Sequence, residues 1–305
     1  MPLITRLRLI QVKLEAEKGT AVTPDTDVLV WDIQCDPEAE FVERKLSGIV
    51  MGHTSPGLQD GSGAGKISFK AEFRTATAAA TLDAGLAVLF QCCGILKTSE
   101  VYTPTSVYTS QKTCTIAYFK NGKRNVLSGC MGNLQLVPDG NRLVCEFEFS
   151  GVWGAPTDAA LPTPTYTAAL PLMWSATANA FTLNAVALAL STFNFNLGNA
   201  VTPLVNGGRI SHYMVTDRDP VITMDPEEKL CATYDAYAAW LAGTTHALSM
   251  AVGNGSYKVT LAVPKFQHRN PKEGDRNGLI VTNVTGQCNF NTAGDDEWSM
   301  TVAAA

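Results

Sequence analysis

The sequence predicts an all-β protein with short helices, arranged as two tandem β-sandwich or β-barrel domains that each carry one flanking helix. Three observations support this: alternating apolar and polar runs, frequent Gly, Asn and Asp turns, and a helix–hairpin unit that occurs twice. We place the first domain at residues 1–154, a Pro-rich linker at 155–172 and the second domain at 173–305. A chain of 305 residues has room for two domains of ordinary size.

The repeated unit is a short helix that begins with Asp, a hairpin that turns on Asn-Gly, and a second turn at nearly equal spacing. Its landmarks are a helix at 83–90, Asn121-Gly122, a turn at 139–141, a helix at 234–241, Asn254-Gly255 and a turn at 273–275. Asp accepts backbone N–H groups at a helix start, and Asn-Gly suits a type I′ turn, which needs positive φ at both central residues. Three landmarks in the same order predict a duplicated domain.

Strict alternation marks the half-buried strands. Residues 67–73 alternate apolar and polar, and 143–149 do the same. In the second run Phe147 and Phe149 belong on the core face, and Glu146 and Glu148 on the opposite face.

A long stretch of the second half carries no charge. No charged residue occurs between Asp158 and Arg209. Such a segment favours burial against another domain or subunit. We expect its second part, 181–195, to be a strand at such a boundary, with Leu188 buried.

Bulk composition excludes several classes of protein. A net charge of −5 and a pI near 5.4 argue against a basic nucleic-acid reader. The eight cysteines form no spacing motif, which favours reduced, buried thiols in a reducing cytoplasm. The sequence shows no signal peptide and no apolar run long enough for a membrane span.

No catalytic, cofactor-binding or metal-ligating residue is predicted, and no cofactor is expected. The four histidines do not lie at metal-ligand spacing. The run 60–67 departs from a phosphate loop, because Asp60 replaces the first Gly and Ile67 the magnesium-binding Ser or Thr. We interpret the acidic run 295–297 as a solvated turn.

Several marks together carry a family resemblance. In chain order they are Glu17-Lys18-Gly19-Thr20 with Pro24, the helix ending at Gly94, Asn121-Gly122, Gly129 with Gly132-Asn133, the strand 145–149 ending in Gly151, and Gly294-Asp295-Asp296-Glu297. By this order the chain resembles the major tail tube proteins of long-tailed, non-contractile bacteriophages (siphophages). Glu17-Lys18 departs from the pattern, since the family often has an aromatic residue before Gly-Thr.

The resemblance implies a tube domain with a flanking helix, whose sheets join into rings that stack into a hollow tube for DNA. Two such domains per chain imply a ring of three chains with pseudo-sixfold appearance; a hexamer with one tube domain and one decoration domain per chain is the alternative. The implied partners are further copies of this chain, a tape measure protein, and tail terminator and distal tail proteins. DNA passes without specific binding, and no membrane is involved. The implied location is the virion tail, assembled in the host bacterial cytoplasm.

Two surfaces are assigned within that picture. Residues 47–65, rich in Gly and Ser, are expected to contact the neighbouring ring; the candidates are His53, Thr54, Ser55, Pro56, Gln59 and Asp60. The lumen wall should be neutral to acidic, with Glu146 and Glu148 as the first candidates.

Two other functions stay open at this point. The inner tube of a contractile tail or secretion machine uses the same fold. A cell-binding β-sandwich accessory virion protein would expose aromatics or an acidic calcium loop, and it is disfavoured because the aromatics fall mostly on alternating core faces. A hydrolase on a β scaffold would need a nucleophile constellation, which the sequence lacks.

Overall fold

The computed structural model describes residues 6–38, 40–48, 51–52, 54–59, 61–77, 79–165, 169–174 and 180–304. Its described part consists mostly of antiparallel strands with two short helices, which confirms the predicted all-β class. No helix in these ranges is long and apolar enough to cross a membrane.

The described residues of the first half form twelve strands and one helix. They are β1 (Arg8–Leu14), β2 (Thr26–Val28), β3 (Val30–Pro37), β4 (Phe41–Lys45), β5 (Thr54–Gln59), β6 (Ala64–Glu72), α1 (Ala84–Gln91), β7 (Ile95–Thr98), β8 (Val101–Pro104), β9 (Cys114–Lys120), β10 (Lys123–Asp139), β11 (Arg142–Trp153) and β12 (Thr157–Asp158).

In the second half, the part of the chain that the structure describes forms ten strands and one helix. They are β13 (Ala180–Leu183), β14 (Val186–Ala187), β15 (Phe193–Asn196), β16 (Asn199–Asn206), β17 (Arg209–Arg218), β18 (Val221–Met224), α2 (Ala236–Ala242), β19 (Thr245–Gly253), β20 (Tyr257–Arg276), β21 (Leu279–Asn289) and β22 (Ser299–Ala304).

One order of strand pairing occurs in both halves. In the first half the neighbours run β3, β6, β11, β10, β9, β1, β2. In the second half they run β15, β18, β21, β20, β19, β13, β14. A separate two-stranded hairpin interrupts both series at the same place, β4–β5 before β6 and β16–β17 before β18. The helix also holds the same place, between β6 and β9 and between β18 and β19.

One large cluster of buried apolar side chains runs through both halves. Phe147 and Phe149 of β11 belong to it together with Phe195 of β15 and Trp298, and the last two rings lie 5.5 Å apart, edge to face. Apolar faces of alternating strands supply most of this core, because burying them removes large areas from water. The domain limits at 154 and 172 stay predictions.

Both helices begin where the Asp residues predict. The Asp83 carboxylate accepts the Gly85 amide proton at 3.1 Å, and the Asp235 carboxylate accepts that of Ala238 at 2.8 Å. Helix α2 ends at Gly243, whose φ of +65° is the left-handed conformation common after a helix.

The two Asn-Gly hairpins differ in their turns. Asn121 and Gly122 both have positive φ, at +39° and +101°, as a type I′ turn requires. At Asn254-Gly255 the type I′ prediction is wrong, since only Gly255 has positive φ. Asn254 instead precedes the turn, and its side chain accepts the amide protons of Ser256 and Tyr257 at 3.2 and 3.0 Å.

The turn predicted at 273–275 is also wrong. These residues lie inside β20, with Gly274 opposite Val281. The chain reverses instead at Asn277-Gly278, where both φ values are positive, +55° and +83°. Asn-Gly therefore prevails over Glu-Gly-Asp, because its conformational cost at positive φ is lower.

The uncharged segment is built differently from its prediction. In place of one strand over 181–195 there are three short ones, β13, β14 and β15. Leu188 lies between β14 and β15 and is buried in the main core, as expected. The linker lies on the first half: Ala159 and Leu161 pack on Leu9 and Phe119.

Candidate assembly surfaces and polar sheet face

The polar face of the first half is formed by β6 and β11 on the side opposite the core. Glu146 and Glu148 lie there, while Phe147 between them is buried. Glu146 Oε1 is 2.8 Å from Lys70 Nζ, and Glu148 pairs with Lys66. The hydrogen bond that Lys70 donates to Glu146 raises the pKa of Lys70, and the one that Lys66 donates to Glu148 raises the pKa of Lys66. The two candidate lumen glutamates are thus charge-compensated.

Arg142 extends the same pairing along the polar face. Its guanidinium donates to Glu72 at 2.6 Å and to Asp139 at 3.0 Å, and it lies 4.8 Å from the centroid of the Trp31 ring. Cations and carboxylates therefore alternate across neighbouring strands, which keeps the local field of the face small.

The second half does not repeat the Lys66–Glu148 pair. Thr223 lies opposite Thr285 where Ser68 lies opposite Glu148, and Val221 lies opposite Gln287 where Lys66 lies opposite Ser150. Thr285 therefore holds the place of Glu148, and Val221 that of Lys66.

The hairpin β16–β17 lies across the first half of the same chain. Ile210 and Tyr213 form a small apolar cluster with Met131 of β10, and Val152 of β11 packs against it. The Ile210 amide donates to the Ser62 carbonyl at 3.2 Å. This hairpin, called the clamp below, therefore packs the second half of the chain against the first.

Side chains from the first half hold the middle of the clamp. Tyr108 Oη is 2.8 Å from His212 Nε2, and the Lys18 ammonium lies 3.4 Å from the centroid of the Tyr108 ring. Burial lowers the pKa of His212, and the nearby Lys18 lowers it further. The Gln111 side-chain amide donates to the Val215 carbonyl at 2.9 Å.

The acidic run 295–297 is paired with the end of β17, so its interpretation as a solvated turn is wrong. Arg218 at the end of β17 pairs with Asp295 and with Glu297, the latter at 2.9 Å. Asp296 accepts the amide protons of Asn291 and Thr292 at 2.8 and 2.9 Å. These backbone bonds lower the pKa of Asp296 to about 2.

The corresponding hairpin β4–β5 carries exposed apolar side chains. Phe41 is 75 % exposed and Leu58 is 59 % exposed. Of the inter-ring candidates, Thr54, Ser55, Pro56 and Gln59 belong to β5, with Thr54 opposite Lys45. His53 and Asp60 lie outside the described residues. The segment 47–65, assigned to the contact between rings, thus includes β5, which pairs with β4 in a hairpin that begins at Phe41.

The two halves meet at a strand junction. Gln135 and Leu136 of β10 lie opposite Asn196 and Phe195 of β15, in antiparallel register. The Leu197 amide donates to the Leu134 carbonyl at 3.1 Å, which continues the junction by one residue.

A buried carboxylate that sequence reasoning missed organises the first half. Glu15 is 6 % exposed. One of its oxygens accepts from Thr115 Oγ1 and the Gly129 amide, at 2.7 and 2.8 Å, and the other from Thr113 Oγ1 and the Gly19 amide, at 2.7 and 2.9 Å. The signal available in the sequence is an acidic residue directly after an apolar strand.

Within the described ranges no group of three or more His, Cys, Asp or Glu could hold a metal ion. All eight cysteines are free thiols, six of them buried, while Cys35 is half-buried and Cys231 is exposed. Burial raises the pKa of Cys92 and of Cys145, which keeps both thiols protonated.

An antiparallel sheet fold, an exposed apolar hairpin and a charge-compensated sheet face are together typical of the class of structural β proteins. The family model for "Phage tail tube protein" matches residues 10–288. The chain therefore belongs to the phage tail tube protein family and is a structural component of the virion tail. None of the curated proteins compared with the chain matches it.

Proposed function

We propose that the chain polymerises into stacked rings that form the tube of a phage tail, the conduit through which DNA reaches the host. The repeated order of strand pairing carries this proposal, because it supplies two ring-forming units in one chain. A family match over residues 10–288 supports it. The role is structural and non-catalytic.

Each ring contains three chains and has a pseudo-sixfold appearance. The two units of one chain occupy adjacent places in the ring, joined by the β10–β15 junction. Joining sheets into a closed wall removes the exposed strand edges that otherwise promote disordered association. The alternative is a ring of six chains, in which the second half decorates the outside.

Electron microscopy with native mass spectrometry tests the proposal. Purified protein should form hollow rings or tubes, and released rings should have the mass of three chains. Six chains per ring would overturn the threefold count. Absence of rings and tubes across salt and protein concentrations would overturn the function.

The polar sheet face forms the wall of the lumen, and Glu146 and Glu148 belong to it. Phosphates bind to uncompensated lysines and arginines by releasing counterions, and each such contact strengthens retention. The Lys70–Glu146 and Lys66–Glu148 pairs remove two such contacts. A compensated wall lets DNA slide.

The hairpin β4–β5 reaches the neighbouring ring with its tip. Apolar side chains as exposed as Phe41 and Leu58 gain stability when a partner covers them. Of the six candidates, Thr54 and Ser55 lie next to this tip, opposite Lys45 and Arg44, whereas Gln59 lies at the base of the hairpin, opposite Phe41.

The tube belongs to a long, non-contractile tail and is assembled in the host bacterial cytoplasm. A tape measure protein sets its length, and tail terminator and distal tail proteins close its ends. Imaging of the virion distinguishes this from the inner tube of a contractile tail, which carries a sheath.

A further inference from the structure

Each half of the chain has one open strand edge that corresponds to one side of the junction between the halves. Where the first half meets the second, β10 pairs with β15. In the repeated pairing order, β20 holds the place of β10 and β3 the place of β15. The free side of β20 and the free side of β3 therefore form the two halves of one further junction.

Equivalent residues on β20 follow from the hairpin loops. Both long hairpins close on two residues, with Asp139 opposite Arg142 and Arg276 opposite Leu279. Gln135 lies four residues before Asp139, and Lys272 lies four residues before Arg276. Lys272 is therefore the counterpart of Gln135. Glu273 is likewise the counterpart of Leu136.

Equivalent residues on β3 follow from the neighbouring ladders. Phe149 and Gly286 each lie seven residues after the first residue of their strand, which is Arg142 in β11 and Leu279 in β21. Ile67 lies opposite Phe149, and Ile222 opposite Gly286, so Ile67 and Ile222 are counterparts. Cys35 pairs with Ile67 as Phe195 pairs with Ile222. Asp36 is therefore the counterpart of Asn196.

Both edges are open within the described residues. After Gln267, β20 pairs with β21 alone, and β3 pairs with β6 alone. Asp36 and Lys272 are exposed, and neither forms an ion pair with a described residue. Open edges of this kind are templates for pairing with another chain.

The charges on the two edges are complementary. Inside the chain, Asn196 meets Gln135 and accepts a hydrogen bond from Asn133 at 2.8 Å. On the open edges, the counterpart of Asn196 is an acid, Asp36, and that of Gln135 is Lys272. Arg269 lies opposite Thr285, as Asn133 lies opposite Glu148, so a second exposed cation lies near the same place.

We infer that β3 of one chain pairs antiparallel with β20 of the next chain in the ring, with Asp36 opposite Lys272 and Cys35 opposite Glu273. The inference rests on the proposed ring and specifies its joint between chains. Each chain contributes one edge of each kind, so the contact is head-to-tail, the kind of contact that forms a ring when the rotation between chains closes. Charged groups make the joint selective for the correct register.

Cysteine crosslinking tests the register. In a Cys35→Ser, Cys231→Ser background, Asp36→Cys with Lys272→Cys should form disulfides between chains under mild oxidation. Opposed residues in an antiparallel pair have Cα atoms about 4.5–5.5 Å apart, within disulfide range. Denaturing gels without reductant should show crosslinked species that end at three chains.

The matched control is Gln135→Cys with Asn196→Cys in the same background, which should crosslink within one chain and leave the mass unchanged. If the control crosslinks and tubes form, but the test pair stays monomeric on the gel, the joint is wrong while the tube function stands. If even the wild type forms no rings, the proposed function fails.

Charge reversal gives a second test that needs no disulfide. Asp36→Lys should weaken ring formation at least about tenfold, because it places a cation opposite Lys272. The double variant Lys272→Asp with Arg269→Asp should weaken it as much, because it places carboxylates opposite Asp36. Combining all three changes should restore most of the assembly. If the combined variant does not recover assembly although each parent variant is folded, the proposed pairing of Asp36 with these cations is wrong.

Discussion

Glu15 Oε1 lies 2.8 Å from the amide nitrogen of Gly129, and this bond fixes the irregular register in β10. Gly129 has φ of +59°, and a Cβ on it would lie 2.8 Å from His212 Cβ. The buried carboxylate therefore holds the backbone where the β16–β17 clamp rests. Strand irregularity, carboxylate and clamp form one connected unit.

Glu15→Gln should destabilise the fold by about 2 kcal/mol. The amide can accept at only one of its two heavy atoms, so two of the four donors lose their acceptor and the other two lose the charge of theirs. Chemical denaturation measures the change, and Glu17→Gln, at an exposed position two residues away, is the control. Equal unfolding midpoints for the two variants would refute the assignment.

Stability should decrease as the pH falls from about 6.5 towards 4, because burial lowers the pKa of His268 to about 4. Over this interval the unfolded state binds a proton that the native state excludes. The loss amounts to about 3 kcal/mol when complete. His268→Gln should flatten this part of the pH profile measured by denaturant unfolding. A slope unchanged by the substitution would contradict the prediction.

Leu188→Asp should cost several kcal/mol, because the side chain is 5 % exposed and the variant buries an unpaired charge. Leu241→Asp is the matched control, since Leu241 is 82 % exposed. Thermal unfolding of both variants decides the matter. A normally folded Leu188→Asp protein that still assembles would show that the segment tolerates charge.

Shortening the tip of β4–β5 should leave rings that no longer stack. Replacing residues 46–53 by Asn-Gly keeps Lys45 opposite Thr54 and closes the hairpin on two residues. Replacing Gly207-Gly208 by Asn-Gly in β16–β17 is the control. Electron microscopy counts rings and tubes, and tubes of normal length from the shortened protein would disprove the inter-ring role.

Removing the wall carboxylates should make the tube adhere to DNA. Glu146→Gln with Glu148→Gln leaves Lys70 and Lys66 uncompensated, so duplex DNA should bind at about 50 mM salt and be released near 200 mM. Co-sedimentation of tubes with DNA measures this, with Glu17→Gln as the control. Equal sedimentation of DNA with both would place these glutamates off the lumen.

Local rules predicted the elements that depend on neighbouring residues. Asp83 and Asp235 located both helix starts, and alternation located Phe147 and Phe149 in the core. The turn at 273–275 failed because Asn277-Gly278, three residues further on, has the stronger preference for positive φ.

Contacts between distant segments were beyond local rules. The clamp depends on Ile210 and Tyr213 meeting Met131, and the buried Glu15 depends on donors about 100 positions away. Nothing in the local pattern of either segment names its partner. Only the order of strand pairing shows that the hairpin β16–β17 is the counterpart of the hairpin β4–β5.

In the proposed ring, the continuous polypeptide holds the units in pairs, with the β10–β15 junction inside each pair. Such a ring would contain an even number of units, so closures with five or seven units are excluded by the covalent connection between the two halves. Half of its joints would form at the high effective concentration of an intramolecular contact. A ring of three such chains requires two associations between chains before it closes, in place of five for six single units, so its nucleation would depend less steeply on protein concentration.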